Sequence, residues 1–311
     1  MIGFAPMPIN DELLYSYLSR WFFLSGVLSD QVFLKTIAGR VFDASASALG
    51  CQINFNCKDS LLKNKEWISE NFTLLPFSRP FLRIDKSFEE SDSFGKNSVE
   101  RPLFNNIWAR RFGHQSELRC CSICVSDQNK KYHCGVWLRS HNLPGVRACT
   151  THGILLQAYP LLRTYSYKEA KLILVPKHAA NVEVIKANSS MLWYANMAKD
   201  LLNSGLPNID ATYIRDELQK SLRERFDINT DAQVNSILRC NIGKHFHHSF
   251  LKAIEFDRSM PICRGLFDSH IGYIDPVHLI LISRFSHNNG IIELLKNALE
   301  SHLRSKKSTC C

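Results

Sequence analysis

The residues best suited to chemistry are two short pairs near the middle of the chain. The first pair is Cys121 and Cys124, and the second is Cys149 and His152, each with two intervening residues and with 24 residues between the pairs. Two intervening residues allow both members of a pair to direct a sulfur or ring nitrogen at one ion. Three thiolates and one imidazole fill a tetrahedron, so the pattern predicts a structural zinc site with no open position for water.

A redox or catalytic role for the two pairs fits the sequence less well. A redox-active Cys-x-x-Cys would leave the second pair unexplained, and no βαβ pattern surrounds it. A catalytic zinc would need an exchangeable water, whereas four protein ligands are available here. Cys120 and Cys134 lie nearby but off the spacing, and we interpret them as small core or surface residues. The chain has eleven cysteines, an odd number with irregular spacing, which does not suit a secreted disulfide framework.

The same region carries much of the positive charge of the chain. The formal net charge is +9, and residues 101–150 contain eight Lys or Arg against two acidic residues. Cations interleaved with aromatic residues are typical of surfaces that contact phosphates and stack on bases. A solvated basic face with no nucleic-acid role is the alternative. The candidate phosphate contacts are Lys130, Lys131, Arg139 and Arg147.

Further histidines, cysteines and a tryptophan have both a structural and a functional interpretation. We favour Trp137 as a core residue of the zinc module over a base-stacking residue, and His141 as a structural histidine over a group that supports a metal ligand. A second cluster, whose spacing matches no standard metal site, consists of Cys240, His245, His247, His248 and Cys263. Helical spacing would scatter these histidines over several faces, so surface histidines are expected there.

The rest of the sequence predicts a mainly α-helical protein. We expect an N-terminal helical unit with helix-turn-helix character over 1–85, a zinc-binding module with short strands over 101–165, and a helical C-terminal domain over 166–311. Residues 86–100 are rich in Ser and acidic residues and nearly free of large apolar groups, which predicts a linker between the first two parts.

The N-terminal unit is expected to begin with two helices joined by a tight turn. Asn10 is the predicted cap of the first helix, which ends near Gly26, and Ser29 and Gly39 delimit the second. Such a pair resembles a helix-turn-helix, although helix hairpins without a DNA role are commoner. A third helix is expected over 60–71.

The C-terminal domain is expected to contain several packed helices. Three amphipathic segments fall within 191–238, and a final one spans 290–304. Asp275 and Pro276 form a cap and first residue for a strongly apolar helix that should be buried.

Several functional classes find no support in the sequence. We find no phosphate-binding loop, no Gly-rich dinucleotide motif, no nucleophile elbow and no HExxH motif, and we expect no enzymatic activity. No apolar run approaches the roughly 20 residues of a membrane-spanning helix. The first residues do not read as a signal peptide, so a cytoplasmic protein without a membrane partner is expected.

The motifs around the two pairs resemble those of a known family. Cys121-x-x-Cys124, followed by the segment 137–146 (WLRSHNLPGV) and by Cys149-x-x-His152-Gly, resembles the core of the TniQ/TnsD family of transposon target-site selectors. Residues 6–20 are similar to the N-terminal signature of that family. The segment 275–282 resembles a helix of its longer members.

This resemblance implies a non-enzymatic adaptor that acts at the bacterial nucleoid. Such a protein engages target DNA, or a guide-RNA effector already on DNA, and recruits an AAA+ ATPase that in turn brings the transposase. The resemblance also implies that Cys121, Cys124, Cys149 and His152 bind a structural zinc ion. A zinc-containing helix-turn-helix transcription regulator is the alternative, and neighbouring ATPase and transposase genes would favour the selector.

Overall fold

The structure is a computed structural model of the chain, and its secondary structure is mainly helical. It describes residues 5–39, 64–82, 117–161, 171–227, 230–254 and 275–308. The described helices are α1 (Leu14–Ser25), α2 (Asp30–Ala38), α3 (Lys65–Phe72), α4 (Leu75–Ser78), α5 (Ser122–Tyr132), α6 (Ser189–Leu202), α7 (Ala211–Phe226), α8 (Asp231–His245), α9 (His248–Ala253), α10 (Pro276–Ser286) and α11 (Ile291–Ser308).

Short strands accompany the cysteine-containing region, as the sequence predicts. Strand β1 (Glu117–Cys120) pairs antiparallel with β2 (Gln157–Pro160), with Cys120 opposite Gln157. Short 3₁₀ segments lie at Arg79–Phe81 and Lys177–Asn181. The predicted fold class, mainly helical with short strands beside a Cys/His group, is therefore confirmed.

The chain divides into two compact units. The first comprises Met1–Leu75 and Arg101–Ala187, and the second comprises Pro76–Glu100 and Asn188–Cys311. The N-terminal helices thus belong to the same unit as the cysteine-containing segment. The proposed division at 85, 100 and 165 stays a prediction, and the linker at 86–100 lies outside the described residues.

Helix α1 of the first unit ends where the sequence predicts. Gly26 caps it in the left-handed region with φ +70, a conformation that glycine adopts without steric cost. Its predicted start at Asn10 is wrong, because the helix begins at Leu14. The turn before it contains Asp11, whose φ is +60, and Glu12, which makes a β-bridge to a distant segment.

That distant segment lies between the two Cys/His pairs. Glu12 bridges to Leu138, Leu13 donates its N–H to the carbonyl of Trp137 at 2.9 Å, and Arg139 donates its own to Asp11 at 2.7 Å. The Trp137 side chain is fully buried, and its Nε1–H donates to the Ile173 carbonyl at 3.2 Å. The N-terminal segment is therefore part of the framework around the candidate site, and Trp137 is a core residue as expected.

Helices α2 and α3 follow α1 in the first unit. Ser29 and Gly39 flank α2 as predicted. Helix α3 begins at Lys65, because the Asn64 side chain accepts a hydrogen bond from the Trp67 N–H at 2.9 Å and caps it. Residues 60–63 of the predicted third helix lie outside the described residues.

The second unit is a helical bundle organised around α10. This helix contacts α6, α7, α8 and α11, and its apolar residues are buried. Asp275 accepts a hydrogen bond from the Val277 N–H at 3.0 Å and Pro276 occupies the first turn, as the sequence predicts. No helix in the described part of the chain is both long and apolar enough to cross a membrane.

Candidate metal centre

The first Cys pair lies at the N-terminus of α5. Cys121 follows β1 directly and caps the helix, and its sulfur accepts a hydrogen bond from the Cys124 N–H at 3.5 Å. Cys124 lies within the first helical turn, on the same side as Cys121. Unpaired N–H groups at a helix N-terminus stabilise negative charge, so this position suits two thiolates.

The second pair lies on a tight turn that brings the chain back. Gly153 donates its N–H to the Cys149 carbonyl at 2.9 Å, and Cys149 donates its own to the Ile154 carbonyl at 2.8 Å. Gly153 has φ +65, which the turn requires and glycine allows. A β-bridge between Ala148 and Leu155 closes the base of the turn. The turn therefore holds Cys149 and His152 facing the same point.

The four side chains of the two pairs converge. Their ligand atoms all lie within 4.8 Å of one another. The His152 Nδ1 is 3.4 Å from the Cys121 sulfur, 3.2 Å from that of Cys124 and 3.6 Å from that of Cys149, and the sulfurs of Cys124 and Cys149 are 3.7 Å apart. The four residues are close enough to bind one metal ion.

These distances can be compared with those around a tetrahedral zinc ion. Bonds of about 2.3 Å to sulfur and about 2.0–2.1 Å to nitrogen place two sulfurs about 3.8 Å apart and a sulfur and a nitrogen about 3.6 Å apart. The distances among these side chains agree with those values to within a few tenths of an ångström. The donor set and its spacing are therefore compatible with zinc.

Burial and mutual contact perturb the thiols strongly. Hydrogen bonds from Cys121 and Cys124 lower the pKa of Cys149, whereas bonding to Cys121 and Cys149 raises the pKa of Cys124. Three thiols in one small volume thus favour one thiolate, because further negative charge there is repelled. A divalent cation bound among the sulfurs would offset that repulsion and so allow all three thiols to be thiolates.

Two further side chains approach the cluster without belonging to it. The His141 Nε2 is 3.9 Å from the Cys124 sulfur, and an Asp127 carboxylate oxygen is 3.8 Å from the His152 Nε2. The sequence gives no indication of Asp127, because its proximity depends on one turn of α5, a helix that apolar periodicity does not reveal.

The neighbouring cysteines stay outside the cluster. Cys120 is buried in β1, and burial raises its pKa to about 12, so it is a poor nucleophile. Cys134 follows α5 and is half-buried. Neither belongs to the group of potential metal ligands, which agrees with their interpretation as core or surface residues.

The four basic residues singled out in the sequence lie in two different environments. Lys130 and Lys131 are exposed in the last turn of α5, where Lys131 stacks over the Tyr132 ring at 5.1 Å. Lys130 makes a loose contact of 4.0 Å with Asp127, with both side chains largely in solvent. Both lysines can therefore reach an external phosphate.

Arg139 and Arg147 are instead engaged within the unit. The Arg139 guanidinium is buried and donates to the carbonyl of Glu70 at 2.6 Å, with a carboxylate oxygen of Asp11 at 3.4 Å. Arg147 pairs with Glu117 at 2.8 Å. Although burial opposes it, the arginines beside Glu117 lower the pKa of that carboxyl and keep it charged. These placements support structural roles for both arginines.

The second candidate cluster does not come together among the described residues. Cys240, His245, His247 and His248 are all exposed, and Cys263 lies outside the described part of the chain. His247 caps α9 by accepting a hydrogen bond from Ser249. In the residues that the structure describes, the group of potential metal ligands is the one formed by the two predicted pairs.

Fold and site together define a class: a mainly helical protein whose N-terminal half holds a four-residue Cys/His group that is close enough to bind a metal ion. Comparison with known proteins specifies the family. The TniQ family model matches residues 4–156, about half of the chain, and this range includes both pairs. The chain is also similar to the transposon Tn7 transposition protein TnsD of Escherichia coli, with 24% identity over 157 residues. That match covers 49% of this chain and 30% of the relative.

The chain belongs to the TniQ/TnsD family, as the motifs in the sequence indicate. It is related to proteins of transposition. The similarity spans less than a third of TnsD, and the family model lies in the N-terminal half of this chain.

Proposed function

We propose that this protein is a target-selection adaptor of a DNA transposon. In this role it binds target DNA, or a guide-RNA effector already on DNA, and recruits an AAA+ ATPase that brings the transposase. The observation that carries the proposal is the TniQ match over residues 4–156, in which the four converging residues Cys121, Cys124, Cys149 and His152 lie.

The metal in this proposal is a structural zinc ion held by those four residues. Bound there, zinc would supply the positive charge that keeps three thiolates together, and the four residues would tie the N-terminus of α5 to the turn at 149–153. Since four protein ligands complete a tetrahedron, no position is left for a substrate or a reactive water. This supports a binding role and not an enzymatic one.

The proposed DNA contact is formed by the basic residues at the C-terminal end of α5. One end of α5 carries Cys121 and Cys124, and the other end carries the exposed Lys130 and Lys131. A metal at the first end would therefore fix the direction in which the lysines face. Two exposed lysines beside an aromatic ring suit contacts with phosphates. Arg139 and Arg147 are not included, because both are engaged inside the first unit.

Duplex DNA binding by the full chain tests this proposal. Fluorescence anisotropy with a labelled duplex at several salt concentrations should show affinity that falls steeply with salt, because neutralised phosphates release counterions. Replacing Lys130 and Lys131 by alanine should weaken binding and make the salt dependence shallower. The matched control replaces Lys252 and Lys296, two exposed lysines of the second unit, and should change neither.

Recruitment is tested with the proteins encoded beside this one. Co-purification with a neighbouring AAA+ ATPase, with and without duplex DNA, should yield a complex. A second reaction with a neighbouring guide-RNA effector distinguishes RNA-guided targeting from direct reading of a DNA site. Absence of affinity for duplex DNA, for the effector and for the ATPase would refute the adaptor role.

A further inference from the structure

A buried histidine beside the metal centre is not explained by the zinc ligands alone. His141 is 3% exposed, and its Nε2 lies 3.9 Å from the sulfur of Cys124. Its other ring nitrogen, Nδ1, is buried and has no hydrogen-bond partner among the described residues. The ring thus has one nitrogen facing a sulfur and one facing a site without polar partners.

This environment favours one tautomer of the ring. Burying an N–H group that has no acceptor costs more free energy than burying an unprotonated ring nitrogen that has no donor. The proton therefore belongs on Nε2, where the sulfur can accept it. With the proton on Nε2, His141 is a hydrogen-bond donor to the cluster and not a fifth ligand.

A donor at this place meets an electrostatic need of the centre. Three thiolates and one neutral imidazole around a divalent ion carry a net charge of about −1. The Cys124 N–H donates to the Cys121 sulfur and offsets part of that charge. The described residues give the Cys124 sulfur no backbone donor of this kind, and His141 approaches it from the segment that follows α5.

The backbone that carries His141 is held in place from both sides. The Ser140 hydroxyl donates to Asp11 at 2.5 Å, and the Asn142 side chain donates to the carbonyls of Leu138 at 2.8 Å and of Arg119 at 3.2 Å. These bonds fix the backbone on both sides of His141 and so limit where its ring can lie.

We propose that His141 is a positioning residue of the metal centre, which donates its Nε2–H to the Cys124 thiolate and stabilises the excess negative charge of the bound cluster. This inference rests on the proposed zinc site. It assigns His141 the role of supporting a metal ligand, which the sequence alone disfavours.

The test uses the full chain loaded with zinc and with cobalt(II), which reports on sulfur ligands by its sulfur-to-metal charge-transfer band. His141→Leu removes the donor and should weaken zinc binding roughly 10- to 100-fold in competition with a chelator. Its cobalt band should move to lower energy, because a sulfur that has lost a hydrogen bond gives up electrons more easily. His141→Gln keeps an N–H donor at similar reach and should remain close to the wild type. The control His178→Leu removes an exposed histidine of the same unit and should change neither quantity.

Two results would overturn the inference while leaving the zinc site intact. One is a His141→Leu protein with wild-type zinc affinity and an unmoved cobalt band. The other is equal loss in His141→Leu and His141→Gln, which would assign His141 to packing alone. Nitrogen NMR of the zinc-loaded wild type gives an answer without any variant, since it should show the His141 proton on Nε2, and a proton on Nδ1 would contradict the inference. A wild-type chain that binds neither metal would refute the proposed zinc site itself.

Discussion

Replacing Glu12 by alanine should destabilise the first unit strongly. Glu12 is fully buried, and its carboxylate accepts hydrogen bonds from the Arg20 guanidinium at 2.7 and 2.8 Å, from the Ser16 hydroxyl at 2.9 Å and from the Ile9 N–H at 3.2 Å. Arg20 is itself buried. Removal of the carboxylate therefore leaves a buried guanidinium with its charge uncompensated.

The magnitude follows from the asymmetry of buried ion pairs. Loss of one partner of such a pair costs about 3–5 kcal/mol, whereas replacing both by apolar residues of similar volume is often nearly neutral. Burial raises the pKa of Glu12 even though Arg20 and Ser16 lower it, so desolvation outweighs the attraction of the pair. We therefore expect Glu12→Ala to cost about 3–5 kcal/mol and Glu12→Leu with Arg20→Met to cost much less.

Hydrogen exchange followed by mass spectrometry is the appropriate assay, because the chain has two units and global unfolding need not be two-state. Amides of α1 should exchange roughly 150- to 5,000-fold faster in Glu12→Ala, since each 1.4 kcal/mol is a factor of ten. The matched control is Glu300→Ala, which breaks the exposed pair with Arg304 and should cost at most about 0.5 kcal/mol. A change in α1 of less than threefold, or a double variant as unstable as the single one, would refute this reasoning.

Three further predictions concern the core, a helix cap and the basic surface. Trp137→Ala should destabilise the first unit by about 3–5 kcal/mol through loss of a fully buried ring, and denaturant titration of α1 exchange measures it. Asp210 caps α7, and its hydrogen bond from the Thr212 N–H lowers its pKa, so the charge-dependent part of its stabilising effect is present at neutral pH and is lost as pH falls from about 4 through that lowered pKa. Asp210→Ala should thus cost about 1 kcal/mol at pH 7 and less as pH falls through the lowered pKa, while Asp210→Asn keeps the hydrogen bond and should not show this pH dependence. Alanine at both Lys130 and Lys131 should reduce the salt slope of DNA binding by about 2, and an unchanged slope would exclude these lysines from the contact.

The candidate site could be found from the sequence because its ligands are paired locally. A spacing of two residues puts each pair on one turn, and the structure shows one such turn at the start of α5 and the other at Cys149–His152. The two turns meet only in the tertiary fold. Four ligands can bind one ion only if they meet, so the presence of both pairs implies that contact. The spacing therefore predicts a long-range contact that periodicity could not.

Helix α5 begins at the first pair and extends into the segment between the two pairs, where the sequence predicts only short strands. Its sequence, SICVSDQNKKY, buries two polar residues, Ser122 and Gln128, with Val125, and so lacks an apolar stripe. Such a helix is specified by its cap at Cys121 and by packing against the Lys177–Asn181 segment. Ser122, Val125 and Gln128 are spaced three residues apart, as the buried face of a helix requires. Two of them are polar, so the sequence alone does not mark that face as buried.

Long-range pairing explains the remaining differences. The predicted start of α1 is too early because Asp11, Glu12 and Leu13 pair with residues 137–139, more than a hundred positions away. The same pairing buries Arg139, whose guanidinium then binds the Glu70 carbonyl. The sequence shows that an arginine is charged but not whether its guanidinium faces solvent or a buried carbonyl. Contact with a buried carbonyl depends on the tertiary fold.

Metal analysis of the purified full chain tests the central claim most directly. Elemental analysis by mass spectrometry should find about one zinc ion per chain, and a variant with serine at both Cys121 and Cys149 should contain almost none. A wild-type chain that contains no zinc, takes none up after reduction and stays folded in the presence of a chelator would contradict the claim that these four residues form a structural zinc site.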